Sequence, residues 1–117
     1  MTIKIGTDCS GMEAPIEALK QLNKKFKHIF SSEIDKNCIE TIQANCNPDI
    51  IFTDVTSRNI KDVPNIDIYI SGFPCQPFSY AGKRMGAIDN RFDIFWSCYD
   101  VIRFKNPKVF ILENVRN

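Results

Sequence analysis

Apolar and polar positions along the 117-residue chain switch repeatedly between two periods. Short runs rich in β-branched and aromatic residues, Thr2–Gly6, His28–Glu33, Ile50–Thr53, Asp67–Ser71 and Lys108–Glu113, predict five strands. Residues Glu13–Lys24 carry Ile16, Leu19 and Leu22 at helical spacing, with Pro15 in the first turn, and predict a helix. Asp35 suits the cap of a second helix running to about Asn45, whose apolar set is Cys38, Ile39, Ile42 and Cys46. Arg91–Phe104 predicts a third helix, with Phe92, Phe95, Trp96, Tyr99 and Ile102 in phase. That aromatic stripe reads as the helix's core face in preference to a base-stacking platform. Strands alternating with helices, several of them continuously apolar, predict an α/β fold with a parallel sheet covered on both faces. Ligands of such sheets sit beyond the carboxyl ends of the strands. Attention therefore falls on Asp8–Gly11, Glu33, Asp54, Gly72–Ser79 and Glu113–Val115.

Length bounds the chain to one domain at about 100–200 residues per domain. Hydrophobic residues at 44% and charged residues at 25% suit a soluble globular chain and exclude a disordered tail. No apolar run approaches the ~20 residues that span a bilayer, and the start, MTIKIGTDCSG, lacks a signal-peptide layout. A cytoplasmic or nuclear setting is the expectation. Fifteen basic residues against fourteen acidic ones exert no bulk pull on nucleic acid, so such a partner must be argued from local residues. Five cysteines without a Cys-x-x-Cys pair, and one histidine, argue against a structural zinc site and for free thiols. The histidine, His28, reads as an ordinary strand residue. Serine–histidine or cysteine–histidine catalysis is hard to build around it, so a catalytic cysteine needs another activation.

The turn Asp8-Cys9-Ser10-Gly11 lets backbone approach a ligand but lacks the glycine series of a dinucleotide fingerprint. Glu33 ends the second strand roughly 20 residues later, the offset at which an acid meets a ribose in nucleotide-binding sheets. Asp54 ends the third strand and suits an adenine amino group. Three polar strand ends in register favour a nucleoside-shaped ligand. The segment Gly72-Phe73-Pro74-Cys75-Gln76-Pro77-Phe78-Ser79 is more specific, because two prolines bracket Cys75 at the sheet rim. Glu113-Asn114-Val115 ends the fifth strand and would lie beside that loop if the two strands are neighbours. A cysteine and a glutamate without a histidine suggest thiolate addition to an electrophile that the acid protonates.

At these residues the chain resembles the amino-terminal part of the DNA (cytosine-5)-methyltransferases. The likeness runs through DCSG, SSEID, TDVT, GFPCQPFSYAGKR, DNR and LENV, which match that family's motifs I to VI. Cys9 stands where the family has an aromatic, Glu13 and Ala14 where it has glycines, and Phe92 where a glycine follows DNR. The resemblance implies a Rossmann-like S-adenosylmethionine-dependent methyltransferase fold, mostly parallel and incomplete at about five strands. Residues 1–117 would be the amino-terminal portion of the catalytic domain, without the target-recognition region. It implies Cys75 as nucleophile and Glu113 as acid, and no metal. S-adenosylmethionine would be held by Asp8, Cys9, Ser10, Gly11, Glu33, Ile34, Asp54, Val55 and Pro74. Gln76, Ser79, Lys83, Arg84, Asn114 and Val115 would face the cytosine or its phosphate. DNA is the implied partner, in a restriction-modification setting, together with a carboxyl-terminal half or complementary subunit. An RNA cytosine, transfer RNA included, and a non-catalytic interaction module remain open alternatives. An apolar fifth strand left at the sheet edge leads to the expectation that the isolated chain self-associates and does not methylate alone.

Overall fold

The computed structural model describes residues 2–74 and 92–114, the side chain of Phe92 excepted. In chain order the elements are β1 (Ile3–Asp8), α1 (Ala14–Gln21), β2 (Phe26–Ser32), α2 (Lys36–Asn45), β3 (Ile50–Phe52), β4 (Ile68–Ser71), α3 (Phe92–Lys105) and β5 (Val109–Leu112). One 3-10 turn, Ile60–Asp62, lies between β3 and β4. The strands form one parallel sheet in the order β3-β2-β1-β4-β5. The order reverses between β1 and β4, and such a switch point opens a crevice at the carboxyl ends. No described helix is long and apolar enough to cross a membrane.

The core forms where pattern and topology agree. Phe30, Tyr69, Val63, Cys98 and Val101 make one buried cluster between the sheet and α3. Gly6 is required beside it: a Cβ there would lie 2.1 Å from the Phe30 ring. Asp35 caps α2 as expected, its carboxylate accepting from the backbone N–H groups of Asn37 and Cys38.

Three expectations are corrected. First, β1 runs on through Thr7 and Asp8, which read as turn residues, because both polar side chains find buried partners. Second, α1 is shorter than Glu13–Lys24 and leaves Leu22 64% exposed. Glu13, with φ of 65°, sits outside the helix in the left-handed region. Third, the aromatic stripe is not the core face of α3. Cys98 and Val101 are fully buried, whereas Trp96 and Tyr99 are 48% and 42% exposed. The small Cys98 packs under Ser71, whose hydroxyl donates to its sulfur at 3.2 Å, and that contact fixes the rotation of the helix.

Candidate functional site

A cavity of about 550 Å³ opens at the carboxyl ends of β1, β2 and β3 and reaches Gly72 and Pro74 after β4. Cys9 and Gly11 line it from the turn after β1, in which Cys9, Gly11 and Glu13 all take positive φ. Backbone strain of this kind clusters at ligand sites. Glu33 is pinned over that turn. Its Oε1 accepts from the Gly11 N–H at 2.8 Å and its Oε2 from the Asp35 N–H at 2.9 Å. One face of the carboxylate is therefore held by backbone, and the residue lines the cavity.

Asp54 follows β3, and its Oδ1 accepts from the Thr56 hydroxyl at 2.6 Å and the Thr56 N–H at 2.9 Å. Those two hydrogen bonds hold its carboxyl below the usual range, so it remains an acceptor in mildly acidic solution. Ile34 lines the cavity while 74% exposed, and Val55 lines it from a buried position. An exposed isoleucine beside two anchored carboxylates makes a slot with an apolar wall and polar ends. Such a slot suits a nucleoside better than a small ion.

Of the residues expected around a cofactor, Cys9, Gly11, Glu33, Ile34, Asp54, Val55 and Pro74 line this cavity. Asp8 and Ser10 are placed differently. Asp8 is 1% exposed, and its carboxylate accepts from Tyr69 Oη at 2.6 Å, from Ser32 Oγ and from both terminal nitrogens of Arg58. Ser10 Oγ accepts from the Ser32 N–H at 2.9 Å and exchanges a 2.8 Å bond with Thr7, so it fastens β1 to β2. Both side chains are committed beneath the site.

Arg58 was not legible as a site residue. Its side chain is 6% exposed and forms a bidentate pair with Asp8 at 2.7 and 2.6 Å. The guanidinium carbon stands 5.2 Å from the Phe52 ring centroid and 5.9 Å from that of Phe30. Burial works against the charge, but the Asp8 hydrogen bonds and carboxylate outweigh it and hold the guanidinium more firmly protonated than usual. Burial first, then the neighbouring Asp8 charge, keep Tyr69 a neutral phenol. A second buried set was also missed. Glu13 accepts from Thr7 Oγ1 at 2.6 Å and from Ser31 Oγ, and pairs with His28 Nε2 at 2.9 Å. His28, read as an ordinary strand residue, is thus the buried partner of an acid in the glycine turn. Neither pair shows in any local pattern, since each joins residues from separate elements.

The neighbouring Cys98 thiol, then burial, raise the Cys9 thiol far above the usual range. It lines the site as a neutral group. Cys38, Cys46 and Cys98 are free as well.

β4 and β5 are neighbours in parallel register, Ser71 opposite Leu112, which brings the residues after them together. A Cβ on Gly72 would lie 3.3 Å from Glu113 Oε2 and 3.8 Å from the Cys9 carbonyl oxygen. A side chain here would press on the glutamate carboxylate, which lies against the strand end. Asn114 donates its side-chain amide toward the carbonyls of Phe73 and Pro74, at 3.4 and 3.3 Å. The segment entering Cys75 is tied to the Glu-Asn step in this way. Cys75, Gln76, Ser79, Lys83, Arg84 and Val115, expected at the reacting base, lie outside the described residues.

The profile of the C-5 cytosine-specific DNA methylases matches residues 3–117. Among curated proteins the chain is 48% identical over 94 residues to the type II methyltransferase M1.ScrFI of Lactococcus lactis subsp. cremoris, covering 80% of this chain and 24% of that one. It is 43% identical over 88 residues to M.NlaX of Neisseria lactamica (75% and 28%) and 38% identical over 110 residues to M.NlaIV of the same organism (91% and 26%). The chain thus spans about a quarter of the length of these relatives. Its fold is similar to that of the S. pombe Dnmt2 methyltransferase, with a TM-score of 0.77 at 21% identity over 98% of this chain and 37% of that one.

Proposed function

This chain belongs to the C-5 cytosine-specific DNA methylase family, and from that premise we propose that it forms the cofactor-binding, nucleophile-bearing part of an enzyme that methylates carbon 5 of cytosine in DNA. The observation that carries this reading is the carboxyl-end cavity. Pinned Glu33 and Asp54 line it, and it reaches Pro74, one residue before Cys75.

S-adenosylmethionine would be held by Glu33, whose free lone pairs suit its ribose hydroxyls, by Asp54, which suits its adenine amino group, and by the apolar side chains of Ile34 and Val55. When bound, the cofactor supplies an electrophilic methyl group on a sulfonium. The remaining chemistry is the chain's own. The Cys75 thiolate adds to carbon 6 of the cytosine, and the displaced electron pair makes carbon 5 nucleophilic. Glu113 donates a proton or hydrogen bond to ring nitrogen 3, where negative charge would otherwise build up. To close the cycle a base removes the carbon-5 proton, the Cys75 sulfur leaves as thiolate, and the proton on nitrogen 3 returns to Glu113. Both ring faces are needed, so the cytosine must leave the duplex stack. Gln76, Ser79, Lys83, Arg84, Asn114 and Val115 are assigned to holding the extruded nucleotide. Turnover calls for a carboxyl-terminal part like that of the longer relatives. The apolar edge of β5, with Val109, Phe110 and Ile111 each about half exposed, suits pairing with further sheet.

Duplex DNA carrying 5-fluorocytosine tests the reading, because fluorine cannot leave as a proton does. The full-length protein should form a denaturant-stable adduct on this DNA with S-adenosylmethionine, and Cys75→Ala should form none. An adduct that persists in Cys75→Ala, or one formed only on fluorocytosine-substituted transfer RNA, overturns it.

A further inference from the structure

Two turns bound the slot assigned to the cofactor. One is Cys9–Glu13 after β1; the other, after β3, carries Asp54 and Val55. The second turn is short of internal anchors. Asp54 ties it locally through Thr56 and Ser57, all exposed. Val55 is buried, and a polar link to the rest of the sheet comes from Arg58, whose fork closes on Asp8 at the end of β1 and on Ser32 at the end of β2 at 2.9 Å. The guanidinium is wedged against Phe30 and Phe52, so its plane is set by packing as well as by hydrogen bonds. Tyr69 braces the same carboxylate from β4.

We infer that Arg58 is a positioning residue for the adenine end of the cofactor slot: by gripping Asp8 and Ser32 it fixes the distance between the Asp54–Val55 turn and the Gly11–Glu33 clamp. The inference rests on the slot being the cofactor site. A two-pronged pair fixes angle and distance, which a lysine at the same place does not. A buried ion pair contributes little net stability compared with an apolar pair of similar volume. Removing both charges together therefore separates positioning from folding.

Calorimetric titration of S-adenosylhomocysteine into the full-length protein decides this, with thermal denaturation run on the same samples. Wild type should bind. Arg58→Lys should bind roughly tenfold more weakly, as expected when a charge-assisted bond of an anchoring pair is lost. The double variant Asp8→Leu/Arg58→Met leaves the buried Tyr69 hydroxyl without its acceptor and should melt below wild type while staying folded at the titration temperature, keep the weakened affinity, and show a raised KM for S-adenosylmethionine with kcat little changed. Wild-type affinity in the double variant overturns the positioning role and leaves the slot assignment standing. A wild-type protein that fails to bind S-adenosylhomocysteine overturns the slot assignment, and the role of Arg58 with it.

Discussion

Cys9 lines the proposed cofactor slot, yet the neighbouring Cys98 and its burial hold it as a neutral thiol. Iodoacetamide attacks thiolates, and an ordinary thiol is substantially ionised by about pH 9. A raised pKa moves that ionisation to higher pH, so peptide mapping after alkylation at pH 8.5 should find Cys9 unmodified; ready labelling would contradict the Cys98 contact. Glu113 carries the other single-residue expectation. Glu113→Gln keeps shape and a hydrogen bond but loses the transferable proton, and should lower kcat by about 10²–10⁴-fold with S-adenosylhomocysteine affinity unchanged. Undiminished turnover would remove the acid role. At this scale the residues at strand ends were legible. Gly11, Glu33 and Asp54 interrupt apolar runs where a parallel sheet presents its ligands. Arg58 was not, because its partner Asp8 is 50 positions away and no period links them.

Among the described residues five strands and three α-helices follow the pattern of the chain, because near-continuous apolar runs and the Asp35 cap leave few alternatives. The misplaced end of β1 comes from polar groups that find partners from other elements. Thr7 and Asp8 read as turn residues, yet bonds to Glu13, Tyr69 and Arg58 let them extend β1. The rotation of α3 was misjudged because a stripe of large aromatics outweighs the small Cys98 in any hydrophobicity count, although packing against β4 favours the small residue. Glu13 tests how elements are joined. Its carboxylate links β1, through Thr7, to β2, through His28 and Ser31, with side chains of the His28–Glu13 pair only 5% and 0% exposed. Removing one partner of a buried pair typically costs about 3–5 kcal/mol. Glu13→Ala should therefore lose roughly 3 kcal/mol of unfolding free energy in denaturant titration. A loss below about 1 kcal/mol, the level of an exposed pair, would show that the link is not held as described.

For the whole molecule, one topological fact places the site: the strand order β3-β2-β1-β4-β5 reverses at β1 and β4. The turns after β1, β2 and β3 then face one slot, while those after β4 and β5 bring Gly72 and Glu113 together beside it. The central claim is that this slot is built for the methyl donor, with Glu33 as its ribose acceptor. Calorimetric titration of S-adenosylhomocysteine into wild type and Glu33→Ala tests it most directly. A lost charge-assisted hydrogen bond costs about 1.5–3 kcal/mol, so Glu33→Ala should bind roughly tenfold or more weakly than wild type. Equal affinity in the two proteins would contradict the account.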